Sequence, residues 1–110
     1  GVMEVANLKD MVRGWFIGAF SPVAHSTPAV EVGFKSYTKG DKEARHFHKI
    51  ATEITLIHKG HVRMNGQEFH AGDIIILQPM ESCDFEVIED TETVVVKVPG
   101  AQNDKYLGAP

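Results

Sequence analysis

The 110-residue chain reads as an all-β domain, a small barrel or two-sheet jelly roll, and three observations predict it. From Val30 onward, short runs rich in β-branched and aromatic residues are separated by Gly, Pro, Asn and Asp, the punctuation of strands joined by tight turns. Asn65-Gly66 is the preferred pair for a two-residue type I′ hairpin, and it fixes a register in which Met64 faces Gln67, Arg63 faces Glu68, Val62 faces Phe69 and His61 faces His70. Ile54 and Leu56 alternate with Thr55 and Ile57, and Ile74-Ile75-Ile76-Leu77 is wholly aliphatic, so these strands carry apolar side chains on both faces. An antiparallel sheet commonly leaves one face wet; here the outer face needs a cover, either the N-terminal segment or a second subunit.

Taken in order, the elements begin with a short helix that Asn7 is placed to cap, with Leu8, Met11 and Val12 on one face and Gly14 at its end. Trp15-Phe16-Ile17 follows, then a loop from Ser21 to Ala29 holding Pro22 and Pro28. Strands are expected near 30–38, 44–49, 53–58, 61–65, 67–70, 73–77, 83–88 and 93–98. In the hairpin, Val62 and Phe69 form an apolar cross-strand pair on one face, and Arg63 and Glu68 form an opposite-charge pair on the other. This length suits one domain: an N-terminal extension over 1–29, a barrel over about 30–98 and a tail over 99–110.

Composition narrows the class of function. With 11 Lys+Arg against 15 Asp+Glu, the chain lacks the basic footprint that a phosphate backbone requires, so nucleic acid is not an expected partner. The aliphatic run 74–77 is too short for a membrane span, and the first twenty residues lack the basic start and apolar centre of a signal peptide. A single cysteine, Cys83, excludes an intramolecular disulfide and suits a reducing compartment, so a cytoplasmic location is expected.

The chemistry is concentrated between Gly40 and Gly60. His46 and His48 are two apart, so on a strand their imidazoles leave the same face while Phe47 points the other way. On its own such a pair is more often two exposed polar side chains than a metal site. Glu53 opens the next strand, and four intervening residues suffice for a connection that brings it beside the pair. Two imidazoles and one carboxylate make a facial-triad metal site, with open positions for water or substrate; divalent Fe, Mn, Ni, Cu or Zn all suit it.

Gly40, five residues, His46-x-His48, four residues, Glu53, six residues and Gly60 match every fixed position of the first motif of the cupin superfamily, and over roughly Val30 to Val98 the chain resembles that family. The second motif is altered: Gly72-Asp73 starts it, Gln78-Pro79 comes one residue later than usual, and Glu81, Asp84 and Ile88 stand where Gly, a ligating His and Asn are common. The resemblance implies a cupin-type jelly-roll β-barrel (a double-stranded β-helix), usually dimeric, with His46, His48 and Glu53 lining an interior site and a fourth ligand near Asp84. Three roles stay open for Asp84: a ligand, which would favour a harder ion such as iron(II) or manganese; a hydrogen-bond partner of a bound water or ligating imidazole; or a charged residue facing solvent at a strand start. Tyr37, Gln78 and Glu86 are further candidates to line the pocket.

The other polar residues have plainer readings. His61 and His70 form an exposed pair on the polar side of the hairpin, and His25 and His58 have no identifiable partner. Cys83 alternates away from Asp84 and suits a buried small hydrophobe. Trp15, Phe16 and Phe20 suit core or interface packing, or the wall of a pocket near the barrel mouth. The expected function is that of a metal-dependent enzyme, such as an isomerase, epimerase or dioxygenase, acting on a small polar molecule, with carbohydrate-related chemistry suggested by analogy with small single-domain cupins. The alternative is a non-catalytic module for a sugar or other small ligand, with or without metal; cupin-like barrels host both. A homodimer is expected in either case.

Overall fold

A computed structural model describes residues 1–110. Asn65 and Gly66 both take positive φ, 51° and 77°, as a type I′ turn requires, and the strands they join pair in the expected register from Met64↔Gln67 to His61↔His70. Eight strands form one sheet system: β1 (Trp15–Ile17), β2 (Glu31–Tyr37), β3 (Lys42–Phe47), β4 (Thr52–Met64), β5 (Gln67–His70), β6 (Ile74–Leu77), β7 (Cys83–Val98) and β8 (Tyr106–Leu107).

β7 is the central strand. Its C-terminal half pairs with β2, its N-terminal half with β3, and β4 runs along its other edge. β4 in turn carries β6 and β5, while β1 extends the sheet beyond β2 and β8 beyond β3. All seven strand–strand pairings are antiparallel, and the long strands serve two sets of neighbours, which is how a jelly roll folds one sheet over itself.

Four features differ from the sequence reading. The strands expected at 53–58 and 61–65 are one strand, because Gly60, at φ 105° and packed against Thr91 and the Asp90 carbonyl, bends β4 without ending it. The strands expected at 83–88 and 93–98 are likewise one: buried Thr91 donates its hydroxyl to the Glu89 carbonyl and accepts from the His61 amide, so the polar stretch stays paired inside β7. The short helix is two 3₁₀ turns, Leu8–Asp10 and Val12–Gly14, because Met11 between them is extended (φ −87°, ψ 147°) and Arg13 at φ 52° leaves the helical region within the second, so no α-helical nucleus forms. Asn7 does cap the first turn, accepting from the Lys9 amide at 3.0 Å. Finally, β1 and β8 add strands outside the expected barrel.

Alternation sorts the faces. Ile57, Val62, Met64, Cys83, Phe85 and Val87 form the inner core, with Tyr37, Phe69, Ile75 and Leu77 packed against it. Full burial of an aliphatic side chain such as Ile57 or Val62 contributes about 1.5–3 kcal/mol. On the outer face Ile54 stands between Ile76 and Val96, and Leu56 between Ile74 and Val94, an apolar block across β6, β4 and β7. The N-terminal segment does not cover it: Ala6, Leu8 and Met11 gather around Phe16 and Phe34, leaving Ile74 and Ile76 60% and 55% exposed. No helix is long and apolar enough to cross a membrane.

Candidate metal centre

His46 lies near the end of β3, His48 just beyond it, and Glu53 near the start of β4. The turn at 48–51 is short and tightly held, and it brings one ligand atom from each of the three side chains within 4.8 Å of the others. The imidazole rings are 5.6 Å apart and nearly perpendicular, at 81°.

Each histidine is oriented by its Nδ1. His46 Nδ1 donates to the Ala44 carbonyl at 2.9 Å, and His48 Nδ1 donates to the Asp104 carbonyl at 2.6 Å. A carbonyl only accepts, so both Nδ1 atoms carry protons and both Nε2 atoms face the site, the arrangement that second partners impose on metal-binding imidazoles. His48 Nε2 lies 2.7 Å from Glu53 Oε2. Two electron-donating atoms cannot rest at that distance without a proton or a cation between them. The Glu53 hydrogen bond accordingly raises the His48 pKa, against burial and with help from the Asp104 carbonyl. For Glu53 burial pulls upward, but the His48 hydrogen bond and the charges of Lys97, His48 and His46 outweigh it and hold the carboxyl below its usual range. Two nitrogens and one carboxylate meeting in this way fit a divalent transition metal.

Asp104, in the segment read only as a tail, is the residue that sequence reasoning missed. It is 5% exposed, and its carboxylate accepts from the backbone amides of Lys49 (2.9 Å), Ile50 (3.1 Å) and Ala51 (2.9 Å). Burial opposes its ionisation, yet these three amides lower its pKa. One residue thus pins the turn between His48 and Glu53 while its own carbonyl orients His48. β8 completes the bracing, pairing His46 with Leu107 and Phe47 with Tyr106.

The remaining candidates divide. Tyr37 lines the interior beside His46 and Glu53, its ring 4.9 Å from Phe85, and burial followed by the charges of Glu43, Glu53 and Asp41 pushes its hydroxyl pKa upward. Asp84 borders the same small interior space but is not one of the converging donors: Oδ1 accepts from the Asn65 amide at 2.7 Å and Oδ2 faces Arg45 Nη2 at 3.5 Å. Cys83 is the residue opposite His46 in register, facing the interior, with its thiol donating to the Asp84 carbonyl and its pKa pushed up to about 11, first by burial. Glu86 lies on the outer face, bonded to Arg63 at 3.3 Å and facing Lys42 at 3.7 Å, because Cys83, Phe85 and Val87 take the inward positions of β7. Gln78 is exposed and accepts from the Thr52 hydroxyl. His61 and His70 stack at 4.2 Å, with His61 bonded to Glu68.

Above the triad opens a cavity of about 910 Å³, walled by Trp15, Lys35, Tyr37 and Lys97 together with the three candidate ligands. Solved structures show which architecture this is. An uncharacterised protein with a double-stranded β-helix domain from Klebsiella pneumoniae superposes with a TM-score of 0.68 at 23% identity, covering 76% of this chain and 74% of its own. The chain has the cupin-type double-stranded β-helix fold. The DMSP lyase DddQ of Ruegeria pomeroyi is similar at TM-score 0.70 and 15% identity, over 84% of this chain and 49% of the lyase. The oxalate decarboxylase of Bacillus subtilis, a protein with Mn(II) centres, is similar at TM-score 0.61 and 17% identity, over 74% of this chain and 24% of that one. At these identities the likeness concerns the fold. No protein-family model matches the chain, and no curated protein matches it in sequence.

Proposed function

We propose that the protein is a metal-dependent enzyme that holds a divalent transition metal through His46, His48 and Glu53 and acts on a small polar molecule in the cavity above them. The observation that carries this reading is the convergence of three donor atoms within 4.8 Å, with both imidazoles turned inward by Nδ1 bonds to carbonyls. Bound there, the metal supplies Lewis acidity at positions left open to substrate. The chain's own residues do the rest. Asp104 fixes the His48 ring and the turn leading to Glu53, and Tyr37 keeps its proton and offers a donor to the interior. Manganese in the structurally similar oxalate decarboxylase supports a hard ion as occupant.

The alternative, a non-catalytic module for a sugar or other small ligand, draws on Asp84: its carboxylate is engaged by the Asn65 amide and Arg45, which leaves three candidate ligands and no fourth one from the second motif. We further propose that a second copy covers the apolar block formed by Ile54, Leu56, Ile74, Ile76, Val94 and Val96. Elemental analysis of protein purified without added metal tests the central reading. Stoichiometric metal in the wild type, lost from His46→Ala with His48→Ala, is the expected result; equal trace metal in both discards the metal centre.

A further inference from the structure

The cavity is cationic in an acidic protein. The chain carries a formal charge of −4, yet five of its eleven Lys and Arg side chains, Lys9, Arg13, Lys35, Lys97 and Lys105, line this one cavity against the carboxylates of Glu43 and Glu53. None of the five has an ion-pair partner, whereas Lys42, Arg45, Lys59 and Arg63, all away from the cavity, have one each or more. Unpaired like charges gathered at one mouth repel one another and focus a positive field there.

Two of the lysines are placed by the sheet itself. Lys35 shares the inner face of β2 with Gly33 and Tyr37, and Lys97 shares the inner face of β7 with Val95 and lies opposite Glu53. Both ammonium groups stand 5.1 Å from the Trp15 ring. That ring lies across Gly33, where a side chain would meet its carbons at 2.8–2.9 Å, so the indole is a fixed post between the two charges. Lys35 also donates to the Arg13 carbonyl at 2.6 Å, tying the collar to the N-terminal segment. Burial, reinforced by Arg13 and Lys97 and opposed by Glu43, draws the Lys35 pKa below its ordinary value, a cost that a bound anion would relieve.

We propose that the cavity takes a small anionic molecule bearing a carboxylate or phosphate, whose charged group is held by Lys35 and Lys97 beside Trp15 while the rest of the molecule extends toward His46, His48 and Glu53. The inference rests on the cavity being the ligand site, as in the function proposed above, but not on the metal. Charge-assisted bonds to two ammonium groups discriminate strongly against a neutral analogue of the same shape.

Calorimetric titration with D-glucuronate, D-glucose and inorganic phosphate, each against the protein as purified and after manganese loading, tests it. Glucuronate or phosphate should bind at least tenfold tighter than glucose, with the tighter of the two naming the anion class. Lys35→Gln with Lys97→Gln should remove that preference without weakening manganese binding, since the Lys97 charge lies opposite the Glu53 carboxylate and opposes a cation there. Equal binding of glucuronate and glucose together with no binding of phosphate, no binding of either anion, or a preference that survives in the double variant overturns the proposal. A preference that persists in protein that binds no metal refutes the metal centre alone, so the two failures are separable.

Discussion

Replacing Asp104 with alanine removes an acceptor that three consecutive backbone amides share. Its carboxylate bonds Lys49 N, Ile50 N and Ala51 N at 2.9–3.1 Å, and Ala51 is 1% exposed, so at least that amide cannot turn to water. A hydrogen bond to a charged group is worth about 1.5–3 kcal/mol, and a buried amide left unpaired costs about 1–3 kcal/mol. Because the three bonds share one carboxylate and two of the amides lie in a turn that can relax toward solvent, we expect a loss of about 3–5 kcal/mol, a large part of the roughly 5–15 kcal/mol available to a domain. Asp104→Asn keeps one acceptor oxygen and should lose about half as much. The pKa of Asp104 is lowered by folding, so its contribution is present above the unfolded carboxyl value and is lost as pH falls through the folded one. Urea unfolding should therefore show wild type converging on Asp104→Asn as pH drops below the ordinary aspartate range. The same variants should bind manganese about 10–100-fold more weakly in chelator competition, because the turn no longer fixes His48 against Glu53. An Asp104→Ala protein with wild-type stability and wild-type metal affinity would refute the bracing role.

His46→Ala with His48→Ala should abolish specific metal binding while circular dichroism stays that of the wild type, since neither ring belongs to the apolar core. Asp84→Ala should leave metal affinity unchanged and lower the melting temperature, because it removes the bond to the Asn65 amide at the hairpin turn. Light scattering at micromolar concentration should give about twice 12.1 kDa, and Ile76→Lys, which sets a charge in the apolar block, should give a monomer; a monomeric wild type would show that the face stays open. Gly60→Ala should destabilise the fold by more than about 1 kcal/mol, because φ 105° is strained for alanine and Thr91 occupies the space its methyl needs.

What was legible in the sequence was what neighbours in the chain decide. The Asn65-Gly66 turn set the β4–β5 register residue by residue, since turn type alone dictates which positions oppose. The spacing of His46, His48 and Glu53 was legible for the same reason: strand alternation puts the two imidazoles on one face, and a four-residue connection leaves few ways to place the carboxylate. Strand ends were misread where a local signal of interruption was overruled by packing. Gly60 suggested a break but serves as a bend, and the polar run 89–92 suggested a loop but is bonded inside β7 through Thr91.

Asp104 and Asp84 show where local reading ends, and they do so in opposite directions. Asp104 had no motif around it, and its work depends on a contact 56 residues back in the chain, which only the docking of β8 against β3 creates. Asp84 had a motif position and no matching contact. Counted from Pro79 it falls where a ligand is common, but Pro79 itself stands one residue late after Gly72, and the β3–β7 register sets Cys83 rather than Asp84 opposite His46. A one-residue slip in a strand exchanges its two faces, so Cys83 enters the interior and Asp84 turns to Arg45 and the hairpin. The proposed metal centre therefore has a three-residue candidate donor set, braced from the C-terminal segment. The side of the cavity away from that brace carries Trp15, Lys35 and Lys97, so the anion reading proposed above assigns discrimination among ligands to β2, β7 and the N-terminal turns rather than to the second motif.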